Sequence, residues 1–181
     1  GSFVQSKMYH NGISCINCHD VHSLKLIKTG NALCLTCHLP KYDTAEHHFH
    51  EINTDGSQCI NCHMTGKYYM GNDFRRDHSF RIPRPDQSLQ YGTPNACNEC
   101  HQDKDAKWAS DFIVANYGEE RIDHFSDYLL AGSEGDNDAY EALFSQYKYP
   151  DIARATALNH YSNHPLSNEN LKDLLKYLKD S

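Results

Sequence analysis

The chain has 181 residues, a formal net charge of −7, 39% apolar residues and a mean hydropathy of −0.74. The negative charge disfavours nucleic acid as a partner, because its phosphates would be repelled, and no stretch approaches the roughly 18 apolar residues that a transmembrane helix needs. For a domain of this size the composition is polar. We therefore expect that something other than an aliphatic core organises part of the interior.

Residues 1–104 contain the pentapeptide Cys-x-x-Cys-His four times, and successive first cysteines are 19, 25 and 38 positions apart. This is the attachment pattern of c-type haem, in which two thiols form thioether bonds and the histidine is the proximal iron ligand. Two intervening residues form about one backbone turn, which places both sulfurs at one porphyrin edge. The predicted haem-attaching cysteines, which are all eight in the chain, are Cys15, Cys18, Cys34, Cys37, Cys59, Cys62, Cys97 and Cys100.

Other uses of paired cysteines fit this pattern less well. A zinc ribbon does not require a histidine after every second cysteine. A thioredoxin-like redox pair is rarely repeated four times in a short chain. A Cys-x-x-Cys disulfide would be a strained, reducible ring rather than a structural crosslink. We therefore predict four covalently bound haem c groups, with His19, His38, His63 and His101 as proximal ligands.

The remaining histidines determine whether the irons would be open or closed, because each haem iron has a second axial position. Of the 13 histidines, His124, His160 and His164 lie in the C-terminal part and are expected at the surface. Six others lie near the motifs, which is enough to make every iron six-coordinate. The surplus of imidazole makes Met64 and Met70 weaker candidates.

Sequence position ranks these six histidines. His22 follows its own proximal ligand by three residues, so we expect it to reach a neighbouring haem. His10 precedes the first motif by five residues and could approach a distal face. In the segment 46–50 we favour His47 and His50 over His48. At His78, Asp77 or a carbonyl could orient the ring.

Helical periodicity replaces the haem motifs from about residue 105. We therefore divide the chain into a tetrahaem region, 1–104, and an α-helical region, 105–181. Five helices are expected from the spacing of apolar residues and from the glycines, prolines and capping residues that separate them. These apolar positions are Trp108, Phe112 and Ile113, ending at Gly118; Ile122, Phe125, Leu129 and Leu130, ending before Gly132; Tyr140, Leu143 and Phe144 after a cap at Asp136 or Asn137; Ile152, Ala155, Ala157 and Leu158 after Pro150; and Leu171, Leu174, Leu175 and Leu178 after Pro165 and a cap at Ser167.

The fold class expected from these patterns is mostly α with much irregular structure. The haems would organise the first region, and short helical hairpins of a HEAT or TPR type would form the second. A generic helical tail is an equally good interpretation of that second region. Four arginines near the third motif are candidates to pair with haem propionates. They are Arg75, Arg76, Arg81 and Arg84.

Several segments resemble the secreted multihaem c-type cytochromes that have a doubled Cys-x-x-Cys-His signature followed by TPR or HEAT repeats. The resemblance covers residues 1–118 and rests on segments 1–10, 15–23, 42–47, 76–85 and 92–97, together with Trp108. It implies bis-histidine haems, electron transfer and an extracytoplasmic location. The distal ligands that it implies are His10, His22, His47, His50 and His78. These are five candidates for four positions, so one would serve a haem outside this chain.

The expected function is electron transfer along closely packed haems, with redox proteins or terminal electron acceptors as partners. Head-to-tail association into an extracellular cytochrome filament is a variant of this hypothesis. The alternative is a multihaem oxidoreductase of the nitrite or hydroxylamine type, which would need one open iron. A haem-based sensor is a third, minor option. Because haem is attached covalently outside the cytoplasm, we expect a periplasmic or secreted protein whose signal was removed or lies upstream.

Overall fold

The computed structural model describes residues 1–163 together with Lys172, Leu174 and Leu175. In this part of the chain it has ten α-helices and one two-stranded sheet. The chain forms two compact units, unit 1 (Gly1–Glu119) and unit 2 (Glu120–Ser181). The prediction of a mostly α fold with much irregular structure is confirmed. The HEAT- or TPR-like character of the second region stays a prediction.

Unit 1 consists of short helices joined by turns, and it contains all four motifs. Its helices are α1 (Lys7–His10), α2 (Asn31–Cys34), α3 (Ala45–His48), α4 (Cys59–His63), α5 (Pro85–Tyr91), α6 (Ala96–Cys100) and α7 (Ala106–Tyr117). Strands β1 (Gly66–Tyr69) and β2 (Asp73–Arg76) form an antiparallel hairpin. Its turn contains Met70 and Gly71, both with positive φ, as tight hairpins require.

Unit 1 has almost no apolar core of its own. Among the described residues, its only buried apolar side chains are Ala109 and Pro85. Large apolar side chains that would normally fill a core, such as Ile16, Leu24 and Leu39, are exposed. A polypeptide of this length usually buries well over half of its unfolded surface. Unit 1 therefore lacks the aliphatic packing that would stabilise it without another apolar component.

Helix α7 belongs to unit 1, although we assigned it to the second region from its periodicity. The Trp108 ring lies 5.0 Å from the ring of His101, and the Phe112 ring lies 5.2 Å from that of Phe49. These contacts connect α7 to the fourth motif and to α3. Unit 1 thus extends beyond residue 104 because α7 packs Trp108 against the motif histidine His101 and Phe112 against Phe49.

Unit 2 has an ordinary hydrophobic core. Its helices are α8 (Phe125–Ser133), α9 (Asn137–Phe144) and α10 (Asp151–Ser162). Helix α9 packs against both α8 and α10. The core includes Phe125, Tyr140, Leu143, Phe144 and Tyr149. Burial of these side chains stabilises the unit without a cofactor.

The predicted helix ends agree with the structure except in α8, which begins at Phe125 and leaves the predicted Ile122 outside the helix. Gly118 ends α7 with a φ of 84°, and Asp136 caps α9 through a side-chain bond to Ala139 N–H. The prediction that α8 ends before Gly132 is also wrong, since this helix continues to Ser133. Gly132 is required inside α8 because the Tyr140 ring packs directly on it and leaves no room for a Cβ. Most of the fifth predicted helix lies outside the described residues.

Replacing Leu143 with alanine should destabilise unit 2 by about 2–5 kcal/mol, because the side chain is fully buried and its removal leaves a cavity. Hydrogen exchange of peptides from α8 to α10, followed by mass spectrometry in the whole chain, would measure the change. Ile122→Ala is the control, since Ile122 is 58% exposed. Equal exchange rates in the two variants would contradict this description of the core.

Candidate functional site

Each Cys-x-x-Cys-His motif forms one backbone turn, as the spacing predicts. In the first, second and fourth motifs the histidine N–H donates to the carbonyl of the first cysteine, at 2.8, 3.0 and 2.9 Å. The third motif is the whole of helix α4. Thus in every motif the first cysteine, the second cysteine and the histidine are held on a single turn.

The four motifs are spatial neighbours in chain order. Burial, together with Cys34 and Cys37 of the second motif, raises the pKa of Cys18 in the first. Burial and the Cys34 thiol raise the pKa of Cys59 in the third motif to about 11. Burial and the two cysteines of the fourth motif raise the pKa of Cys62. Successive motifs therefore lie close enough for their thiols to interact electrostatically.

Three of the four motif histidines face three of the predicted distal histidines. The ring centroids of His19 and His78 are 6.4 Å apart, with 31° between the ring planes. His63 and His47 are 6.2 Å apart and nearly parallel, at 8°. The third pair is His101 with His50, 6.0 Å apart with an angle of 33°. The fold thus brings together residues that are between 16 and 59 positions apart in the sequence.

These separations match two imidazoles on opposite sides of one metal ion. A metal–imidazole bond is about 2 Å long and a ring nitrogen lies about 1 Å from its centroid, so the two centroids would be about 6 Å apart. Ordinary aromatic contacts fall in a similar range. Here, however, each of these three pairs joins one motif histidine to one histidine that the sequence selects as a distal ligand, whereas the rings of His48 and His50, which are also 6.4 Å apart, belong to one short segment.

The hydrogen bonds of these rings leave the other nitrogen free. Nδ1 of His19 lies 2.8 Å from Leu24 O, Nδ1 of His63 lies 2.9 Å from Arg81 O, and Nδ1 of His78 lies 3.0 Å from Arg76 O. A carbonyl can only accept, so Nδ1 carries the proton and Nε2 keeps a lone pair. Metal-bound histidines commonly show this arrangement.

A tight turn after the first motif positions the carbonyl that orients His19. The Asp20 carboxylate accepts hydrogen bonds from the backbone N–H groups of His22 and Ser23 and from the Ser23 hydroxyl. These bonds lower the pKa of Asp20. Leu24 follows with a φ of 58°, a left-handed conformation that is uncommon for leucine. Residues 20–24 therefore form a turn that supports the ring of His19.

The segment from α3 to His50 presents two predicted distal histidines to two different motifs. Helix α3 ends at Phe49, which adopts a left-handed conformation (φ 58°, ψ 28°). Phe49 packs edge-on against Phe112 and Tyr117 of α7. Because of this reversal, His47 faces His63 while His50 faces His101. Burial and the neighbouring His63 lower the pKa of His47, which favours the neutral ring that binds metals.

The ring of His50 lies against a glycine. A Cβ at Gly56 would lie 2.9 Å from Nε2 of His50 and closer still to its ring carbons. Nδ1 of His50 hydrogen-bonds to the carbonyl of His48. Gly56 could not be predicted as part of the site, because a single glycine in a polar loop carries no signal of its own. Its contact with His50 exists only in the folded chain.

His38, the histidine of the second motif, has a different neighbour. Its ring makes an edge contact with Tyr42, and no imidazole of the described residues is paired with it. The other two candidate ligands are exposed: His10 makes a ring contact with Tyr9, and His22 donates its backbone N–H to Asp20. Within the described part of the chain, neither is placed against a motif histidine.

The candidate arginines are bound to protein groups. Arg76 donates to the carbonyls of Ile60 and Met64 and to the Asn61 side chain, so it supports the third motif. Ion pairs join Arg75 to Asp73 and Arg84 to Asp86. Arg81 donates to Ser79 and Gln5. The guanidinium groups thus stabilise the loops around the motifs.

A search of the described residues for membrane-crossing helices found none of sufficient length and apolarity. In the same part of the chain, no three His, Cys, Asp or Glu side chains cluster around a potential metal-ion position, and the imidazoles occur in pairs. Comparison of the chain with protein-family models, with curated proteins and with solved structures found no match.

Proposed function

We propose that this protein is a tetrahaem c-type cytochrome that transfers electrons. The observation that carries the proposal is the set of three histidine pairs, each with one motif histidine and a centroid separation of 6.0–6.4 Å. The four motifs would hold the haems through their eight cysteines. The nearly absent apolar core of unit 1 supports this further, because four porphyrins would supply the missing apolar surface.

The residues of unit 1 would close three of the four irons on both sides. His19 with His78, His63 with His47, and His101 with His50 would each fill both axial positions. One-electron transfer is the chemistry that the bound haems would supply, at comparatively low potential since no methionine is paired with a motif histidine among the described residues. The protein would exclude substrates from these irons, orient the rings through the carbonyl hydrogen bonds at Nδ1 and keep the motifs adjacent.

A second candidate function rests on His38. Because no described imidazole lies opposite its ring, the iron that it would hold could bind a small molecule, as in a multihaem oxidoreductase. His10 or His22 of another copy could fill the same position in a head-to-tail filament. We favour the electron carrier because three of the four proximal histidines already have a partner. Redox proteins or terminal acceptors would be its partners, in an extracytoplasmic location.

The test is to express the chain with an export signal in a host that matures c-type cytochromes. We expect an intact mass that exceeds the polypeptide by four haems and a reduced spectrum typical of six-coordinate haem c. Carbon monoxide added to the reduced protein should bind at most one haem. Binding at one haem would favour the oxidoreductase, and filaments in electron micrographs would favour polymerisation. A colourless protein with the mass of the bare polypeptide would contradict the proposal.

A further inference from the structure

The ring of His47 is oriented without the hydrogen bond that the other two paired distal histidines have. Nδ1 of His78 bonds to the carbonyl of Arg76, and Nδ1 of His50 also bonds to a main-chain carbonyl. Among the described residues, neither ring nitrogen of His47 has a hydrogen-bond partner. Nevertheless, the angle of 8° between His47 and His63 is the smallest of the three pairs, the others being 31° and 33°. Another kind of contact must therefore orient this ring.

Two tyrosine rings contact the imidazole of His47. The centroid of the Tyr42 ring lies 5.2 Å from that of His47, with 74° between the ring planes, and the Tyr117 ring lies 6.2 Å away at 84°. Such edge-to-face arrangements are a favoured geometry of aromatic contacts. Both tyrosine planes are nearly perpendicular to the imidazole. A rotation of that imidazole about the line that joins it to His63 would therefore bring it into the tyrosine rings.

Both tyrosines belong to segments that are fixed by hydrogen bonds. The turn that ends at Tyr42 is followed by Asp43, which accepts a hydrogen bond of 2.6 Å from the Asn31 side chain. Tyr117 is the last residue of α7, and its hydroxyl donates to the carbonyl of His47. The ring of His47 is thus restrained by two separate segments, and its main chain by one of them.

The plane of an axial imidazole affects the electronic state of the iron that it binds. The π orbital of each ring overlaps with one of two iron d orbitals. Two parallel rings overlap with the same orbital, whereas rings at a larger angle divide between the two. The energy difference between these orbitals determines the g values of the ferric iron. Groups that orient a metal ligand therefore change the properties of the metal without contacting it.

We propose that Tyr42 and Tyr117 are positioning residues that keep the imidazole of His47 parallel to that of His63 on the haem of the third motif. The inference rests on the proposed function, because it requires that haem. Loss of either tyrosine ring should allow the imidazole to rotate while it stays bound to the iron. The energy difference between the two iron orbitals then decreases at this one haem.

The experiment is electron paramagnetic resonance of the oxidised, haem-loaded protein. The low-spin signal that is lost in His47→Ala identifies the third haem. In Tyr42→Leu we expect four attached haems and a shift of that same signal to a larger maximal g value, because the imidazole planes are no longer parallel. Tyr117→Leu should shift the same signal in the same direction. Tyr42→Phe keeps the ring and should restore the signal to its position in the parent.

The choice of variants separates the effect at His47 from other changes. Tyr42 also makes an edge contact with His38, but Tyr117 makes no ring contact with His38 in the described part of the chain. A shift that both leucine variants share therefore reports on His47. Tyr147→Leu is the matched control, since Tyr147 lies in unit 2 and is 65% exposed. It should shift no signal.

Two results in these variants would overturn the inference while leaving the cytochrome proposal intact. They are an unshifted third-haem signal in either leucine variant, and equal shifts in Tyr42→Phe and Tyr42→Leu. If a leucine variant does not fold, the parent provides the test. Its third-haem signal should have the smallest maximal g value of the three paired haems, which His50→Ala and His78→Ala identify, and a larger value would overturn the inference. Failure of the cytochrome proposal itself would appear as a parent without haem.

Discussion

In the haem-loaded protein, replacing His47 with alanine will convert one of the four haems from low spin to high spin. His47 is the histidine opposite His63, at 6.2 Å and almost parallel to it, so its removal leaves that iron with a single protein ligand. The reduced variant should then bind one more equivalent of carbon monoxide than the parent. Electron paramagnetic resonance and absorbance titration with carbon monoxide measure the two effects.

His78→Ala and His50→Ala should each give the same result at a different haem, because each faces its own motif histidine. His160→Ala is the control, since its ring stacks on Tyr140 in unit 2. A double variant should open two irons independently. If His47→Ala leaves all haems low-spin and closed to carbon monoxide, the assignment of His47 to His63 is incorrect.

Replacing Gly56 with alanine will have a comparable effect without altering any ligand. The added Cβ would overlap the ring of His50, and the backbone at Gly56 does not have the left-handed φ that alone would exclude alanine. The strain is therefore relieved by moving His50 away from its position opposite His101. We expect partial or complete conversion of that one haem to high spin, seen in the same spectra, with four haems still attached.

Gly132→Ala is a matched control for this clash. Its Cβ would come within 2.3 Å of the Tyr140 ring. The substitution is the same and the overlap is similar, but it lies in α8 of unit 2, which contains no motif and none of the three histidine pairs. Gly132→Ala should perturb unit 2 and leave the spin state unchanged. Equal spectra for the two variants would show that the contact of Gly56 with His50 does not matter.

Both predictions depend on how residues 45–56 are folded. Phe49 is held in a left-handed conformation, which is costly for an aromatic residue. Its contacts with Phe112 and Tyr117 of α7 offset that cost. The hydroxyl of Tyr117 also donates to the carbonyl of His47. Helix α7 therefore helps to orient two predicted distal ligands, although its own sequence contains none.

The Cys-x-x-Cys-His motifs of the site could be predicted from the sequence because each motif is local. A Cys-x-x-Cys-His pentapeptide can place its three side chains on one turn without help from the rest of the chain, and all four motifs do so. The helices of unit 2 could be predicted for a similar reason, since apolar spacing and caps such as Asp136 act within a few residues. The need for glycine at position 132 could not be predicted in this way, because it comes from the Tyr140 ring on another helix, which leaves no room for a Cβ.

The pairing of distal with proximal histidines could not be predicted from sequence, because it joins positions far apart in the chain. The sequence identified His47, His50 and His78 as candidates, but nothing in their local spacing indicates that they face His63, His101 and His19. The contact of Gly56 with the ring of His50 was equally inaccessible. It depends on which atoms come together after folding.

The sequence by itself determined the four motifs, the number of candidate imidazoles and the change from a region of Cys-x-x-Cys-His motifs to a region of helical periodicity. These follow from residue types at short, fixed spacings, which constrain the backbone locally. Only the tertiary structure decided which imidazoles share a site, that α7 belongs with the motifs, and that His38 has Tyr42 rather than an imidazole beside it. These features result from packing between distant segments, whose distances no local pattern encodes.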